Sequence, residues 1–146
     1  MKNRYKPAYI LVIIISSISC IYNFCQHTKI ENYKKELTNI VRKNIQKFAG
    51  ISNNISDEDI YAEKYASIVT AQEAYIALNN KGISSEEWDN SLPYLLINIK
   101  RTMINDKDKF KEVFKGAEAS RLMFKISDDF EDKESISKLH ELLNNY

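Results

Sequence analysis

Three glycines and two prolines in 146 residues leave this chain almost no material for tight turns. Glycine supplies left-handed backbone and proline a preset bend, and a sheet protein of this length needs many of both. Sandwiches and barrels are therefore not expected. The expectation is all-α, a four- or five-helix bundle preceded by an N-terminal hydrophobic signal or anchor segment. Hydrophobic residues at 44% and charged residues at 28% give the balance of a globular chain rather than a disordered one. The length suits one compact domain. A formal net charge of +1 provides no global field to recruit nucleic acid, so none is expected as a partner.

The first 25 residues read as a membrane signal. Lys2, Arg4 and Lys6 precede an apolar run from Ala8 to about Phe24, centred on Tyr9 to Ile15. A basic stretch, then an apolar stretch, then small residues is the pattern of an export signal. Ser17 and Ser19 place small side chains three residues and one residue before Cys20, where a signal peptidase pocket takes them. Ile18, Ser19 and Cys20 are similar to the lipobox of bacterial lipoproteins, with Ser17 standing where a larger aliphatic residue is usual. The resemblance implies cleavage before Cys20, lipid on Cys20, and a periplasmic or cell-surface location in a bacterium.

The competing reading is an uncleaved anchor. The 18 residues from Ala8 to Cys25 reach roughly 27 Å as a helix against a hydrocarbon core of about 30 Å. Ser16, Ser17, Ser19 and Asn23 weaken the segment, and basic residues follow it as well as precede it. The positive-inside rule therefore gives no orientation.

Beyond Cys25 lie all 20 acidic residues and 18 of the 21 basic ones, which gives residues 26–146 a formal charge of −2. That stretch is expected to fold as one helical domain. It holds no cysteine, so neither a thiol nucleophile nor a zinc cluster built on thiolates is available there. Thr28 to Glu31 reads as a capping box that starts a first helix. Ile30, Tyr33, Leu37, Ile40, Val41, Ile45 and Phe48 give that helix an apolar stripe, and Gly50 suits a left-handed closing position.

After a polar link, Ser56 to Asp59 opens a second helix of about Asp57–Asn79, apolar or small nearly all round, as a central bundle helix would be. Ser84 with Glu87 forms another capping box, and Ile83 with Trp88 a hydrophobic staple. Pro93 should kink that third element or split it near Asn90–Leu92. Asp106 or Asp108 starts a fourth helix with Gly116 in its middle, and Ser127–Asp132 is an acidic turn before a last helix carrying Ile136, Leu139, Leu143 and Tyr146. Gly50-Ile51-Ser52 and Gly82-Ile83-Ser84 repeat a tripeptide, read as helix-ending punctuation rather than a structural repeat.

The chemistry expected is sparse. His140 in the last helix has Asn144 where a helical zinc motif needs its second histidine, and it is expected at the surface. Carboxylate-bridged metal sites use Glu-x-x-His pairs, which do not occur. The acidic runs Asp106–Asp108 and Asp128–Asp132 lack the spacing of a calcium loop. No phosphate-binding loop, dinucleotide glycine set or serine elbow occurs. The sequence thus points to no metal, no cofactor and no catalytic residue.

Candidate protein-binding residues are Glu73, the one charge between Tyr65 and Leu78, and the aromatics Tyr61, Tyr65, Trp88 and Tyr94. Tyr94, directly after Pro93, is the aromatic expected to be exposed. The leading expectation is an extracytoplasmic protein-binding module, an adaptor or an immunity-type inhibitor of a toxin, with its partner unidentified. The alternatives are a single-pass structural subunit of a membrane complex and a helical carrier of an apolar ligand.

Overall fold

The structure is a computed structural model that describes residues 6–51, 57–79 and 91–145. Those residues form six helices and no strand. They are α1 (Lys6–Gly50), α2 (Glu58–Leu78), α3 (Leu92–Asn105), α4 (Lys107–Lys115), α5 (Ala117–Asp128) and α6 (Lys133–Asn145). The chain divides into two compact units, Met1–Glu36 and Leu37–Tyr146.

In the first unit every residue from Tyr9 to Glu36 is exposed on α1. The helix runs 45 residues without interruption, about 67 Å. Pro7 falls in its first turn, where a missing amide proton breaks no intrahelical bond. The helix start expected at Thr28 is not there. The preceding residues contain no breaker, so the backbone ladder passes straight through. The Thr28 hydroxyl donates 3.0 Å back to the Phe24 carbonyl rather than capping a new end.

The second unit takes its core from all six helices. From the end of α1 come Val41, Ile45 and Phe48, and from α2 Ile68 and Ala71, all fully buried. Leu95, Leu96 and Ile99 of α3, Phe110 and Phe114 of α4, Met123 and Ile126 of α5, and Leu139 of α6 complete its centre. Phe48, Phe110 and Phe114 stack as a trio with ring centroids 4.8–6.1 Å apart. Each such contact contributes about 0.5–1.5 kcal/mol beyond its apolar burial.

The helix boundaries follow from local chemistry. Asp57 caps α2, its Oδ1 accepting from the Asp59 and Ile60 amides. Pro93 sits in the first turn of α3, behind the N-cap Ser91, where its missing amide proton breaks no intrahelical bond; the residues before Ser91, over which the kink or split is expected, lie outside the described residues. Asp106 ends α3 and starts α4: its amide donates to the Thr102 carbonyl at 2.9 Å, and its Oδ1 accepts from Lys109 at 3.0 Å. Asp132 Oδ1 accepts from the Ser135 amide at the start of α6, and hydrogen bonds from Ser135 hold that carboxyl below its usual range.

Several expectations are corrected. Gly116 does not lie within a helix. It separates α4 from α5 in an extended conformation, which makes the fourth element two helices. Gly50 is not left-handed, since no described glycine has positive φ, and α1 closes with Ile51 donating to the Lys47 carbonyl. The second helix is not enclosed on all sides: Ala62, Ala66, Thr70, Ile76 and Ala77 are exposed. Ser127 and Asp128 belong to α5, which narrows the acidic turn. The Ser84–Glu87 cap, the Ile83–Trp88 pair, Asn53, Asn54 and Tyr146 lie outside the described residues.

Candidate functional site

The candidate residues fall at separate places in the second unit. Tyr61, on the first turn of α2, is half-buried. Its hydroxyl donates to the Met103 carbonyl near the end of α3, and its ring meets Phe110 edge-on at 5.7 Å. Lys107 Nζ lies 4.5 Å from the centroid of the same ring. Burial holds the Tyr61 phenol above its ordinary range. Tyr65 is also half-buried and packs on the apolar core. Both tyrosines pack partly against the core, because positions 61, 65 and 68 share one side of α2.

Tyr94 differs from its expectation. It is half-buried, with its ring 5.3 Å from the His140 ring. His140 in turn is buried rather than at the surface, since it continues the stripe Ile136, Leu139, Leu143 on α6. Its Nδ1 lies 3.4 Å from the Asn98 side-chain amide. Trp88 lies outside the described residues. Glu73 is exposed on the outward side of α2, alongside exposed Ile76, Ala77 and Thr70. Twelve residues separate it from Tyr61, about 18 Å along the helix. Among the described candidates, Glu73 and the tyrosines are therefore not gathered into one site.

Cys20 is a free, exposed thiol on α1 within the apolar stretch, as is Cys25. Among the described residues no three His, Cys, Asp or Glu side chains converge as metal ligands. A surface depression of about 380 Å³ lies over the start of α4, lined by Asp106, Asp108, Lys109, Lys111 and Glu112. Asp106 is already committed there as a helix cap.

The residue that sequence reasoning missed is Lys64. It has no exposed surface, yet it carries an amine. Nζ donates 2.7 Å to the carbonyl of Phe48 in the last turn of α1 and lies 4.9 Å from the Phe48 ring centroid. The end of a helix presents unsatisfied carbonyls and partial negative charge, so a cation there replaces water as their partner. Desolvation pulls the amine down to about 8. Beside it, Lys47 and Glu63 form an ion pair at 2.9 Å nearer the surface.

Arg42 repeats the device at the end of α5. Its Nε donates 3.1 Å to the Ser127 carbonyl, and its guanidinium lies 5.9 Å from the Phe130 ring, which Tyr75 also meets edge-on at 6.0 Å. The signal for Lys64 was its spacing: with Ile68 and Ala71 it continues the buried line of α2 at intervals of four and three.

Comparison with protein-family models, with curated proteins and with solved structures finds no match. Function must therefore be argued from chemistry alone. The second unit offers a packed scaffold in which Lys64 and Arg42 close helix ends. The first unit offers an exposed apolar helix.

Proposed function

We infer that this chain is a small membrane-tethered protein whose helical bundle domain binds another protein outside the cytoplasm, as an adaptor or an immunity-type inhibitor, and performs no catalysis. One observation carries the reading. From Tyr9 to Phe24 the large apolar side chains of α1 are each more than half exposed, and such a continuous apolar surface is far from what a water-soluble monomer tolerates. Of the described helices, α1 is the one long and apolar enough to cross a membrane. Placing that surface in hydrocarbon satisfies it, and α1 supplies its own backbone hydrogen bonds there. Acylation of Cys20 after cleavage is the other tether consistent with the sequence.

For the partner surface we favour the outward side of α2, where Ile76 is 53% exposed next to Glu73 and a row of alanines. Small side chains let a facing helix approach closely, and the acid gives it a register. A second reading, a structural subunit whose anchor assembles with other membrane segments, is favoured by the unbroken course of α1 past Thr28.

Three measurements test the proposal. The chain should resist carbonate extraction from membranes, and its intact mass should show either the full sequence or an acylated form beginning at Cys20. A photo-crosslinker at Ile76, used in the native membrane, should capture the same protein repeatedly. Release of full-mass protein into the wash sinks the tether. Absence of a consistent partner sinks the binding role.

A further inference from the structure

The apolar surface of α1 is not uniform along the first unit. Tyr9 is followed by an unbroken aliphatic run, Ile10–Ile15, before polar side chains enter at Ser16, Ser17, Ser19 and Asn23. Ser17 is provided for within the helix, its hydroxyl donating 2.8 Å to the Ile13 carbonyl. Such a bond lets a serine lie at depth in hydrocarbon.

At Tyr22 and Gln26 the chemistry changes. The Gln26 carboxamide donates 2.8 Å to the Tyr22 hydroxyl one turn earlier, and both residues are exposed. That bond uses one of the two amide hydrogens of Gln26 and leaves its oxygen and the Tyr22 hydroxyl proton still to be satisfied. Hydrocarbon supplies no partner for them, whereas water and lipid headgroups do. The two polar tips therefore belong at a membrane surface, where a tyrosine ring lies against acyl chains and its hydroxyl meets water. Tyr9, 73% exposed, opens the apolar stretch with the same two-sided side chain.

The distance between these limits is short. From Tyr9 to Tyr22 the helix climbs 13 residues, about 20 Å. Counted from Lys6, the last charged residue before the stretch, the rise to Tyr22 is about 24 Å. Both fall short of an ordinary hydrocarbon core of about 30 Å. A helix that is too long can tilt to fit, but tilting shortens the depth that a short one spans. Nor can α1 stretch, because it is continuous and its hydrogen bonds fix its rise. The bilayer must thin around it or be thin beforehand, and the cost of thinning grows with each ångström of mismatch.

We propose that α1 is matched to a thin bilayer, whose hydrocarbon core of about 20–24 Å is bounded by Tyr9 on one face and by Tyr22 with Gln26 on the other. The proposal rests on α1 being retained as the membrane anchor and adds the kind of membrane that the anchor fits. Phe24, 74% exposed, then falls in the headgroup layer, which takes up apolar side chains as well as polar ones. Cys20 lies two residues inside the boundary and Cys25 three residues outside it, a difference in depth of about 7 Å.

Those two thiols test the boundary, and vesicles of chosen thickness test the match. The full chain is used as Cys20→Ala or Cys25→Ala in its native membrane, opened so that a water-soluble maleimide reaches both faces. Cys25 should react at least about tenfold faster than Cys20, with an intact mass that shows the whole sequence and free thiols. The unaltered full chain is then reconstituted into phosphatidylcholine vesicles with monounsaturated chains of fourteen, eighteen or twenty-two carbons. Its carbonate-resistant fraction should be largest with the shortest chains and fall about tenfold with the longest. One turn of leucine inserted after Ile15 should move the preference to the intermediate chains. Equal thiol rates, insertion that ignores chain length or favours thicker bilayers, or an unmoved preference after the insertion overturns the match and leaves the anchor standing. An intact mass lacking residues 1–19, or failure to insert into any of the vesicles, overturns the anchor and the match together.

Discussion

Lys64 is the residue at which this sequence breaks the usual rule for interiors. A buried ammonium is tolerated only where something replaces its water. The Phe48 carbonyl at 2.7 Å, in the last turn of a helix, does so. The replacement is incomplete, since desolvation lowers the amine from 10.5 to about 8. A base whose folded value is depressed binds fewer protons in the folded state than in the unfolded state between those two values. Stability should therefore rise from about pH 8 upward, by at most about 1.4 kcal/mol per pH unit. Tyr61 and Tyr75, whose phenols burial pushes up, act oppositely above pH 10, because the unfolded chain loses those protons first. The expected profile rises between pH 8 and 10 and turns down beyond. Lys64→Met should abolish the rise and change neutral-pH stability by no more than about 2 kcal/mol. Urea midpoints of the detergent-solubilised chain across that range read both effects, and a rise that persists in Lys64→Met refutes the assignment.

Helix ends decide the elements of the second unit, and they differ in how well sequence announces them. The helix starts within Ser56–Asp59 and at Asp106 or Asp108 were legible because acids before a helical run favour its positive end; the structure makes Asp57 and Asp106 the caps. Thr28 misled because the same residue type inside a continuous helix bonds backward to the carbonyl four residues earlier, and nothing local distinguishes the two uses. Gly116 misled in the other direction. Glycine in mid-helix is tolerated, and the burial of Phe114 on one side of the break and Ala119 on the other is tertiary information that the local sequence does not carry. The tyrosines were legible as large contact residues, but whether contact is internal or external depends on helix facing, which a lone sequence does not carry. Gly116 stands at the N-cap of α5 with φ −82° and ψ 161°, without a side-chain cap, and a Cβ added there meets nothing within 4 Å. Gly116→Ser should therefore supply the missing acceptor and restrict the unfolded chain, stabilising the protein by about 0.5–1 kcal/mol. A higher urea midpoint, with slower hydrogen exchange at the first amides of α5, is the expected readout. A lower midpoint would show that the break needs glycine after all.

At the scale of the whole molecule, two kinds of surface share one chain. The residues that close the apolar core begin at Val41, with Leu37 packed against it. The dense run of exposed apolar side chains ends at Phe24, within the first of the two compact units. The described residues of the apolar core that α2 to α6 share therefore all lie outside residues 1–36. Each fully buried aliphatic or aromatic side chain contributes about 1.5–3 kcal/mol, and all of those in the core lie on the other side of Leu37. Deleting residues 1–36 should therefore leave the helical signal of the remaining chain and its urea midpoint nearly unchanged. It should also move the protein from the membrane pellet to the supernatant. Loss of cooperative unfolding in the shortened chain would mean that the first unit supports the fold. A shortened chain that stays in the pellet would place the membrane attachment elsewhere than on the exposed run from Tyr9 to Phe24.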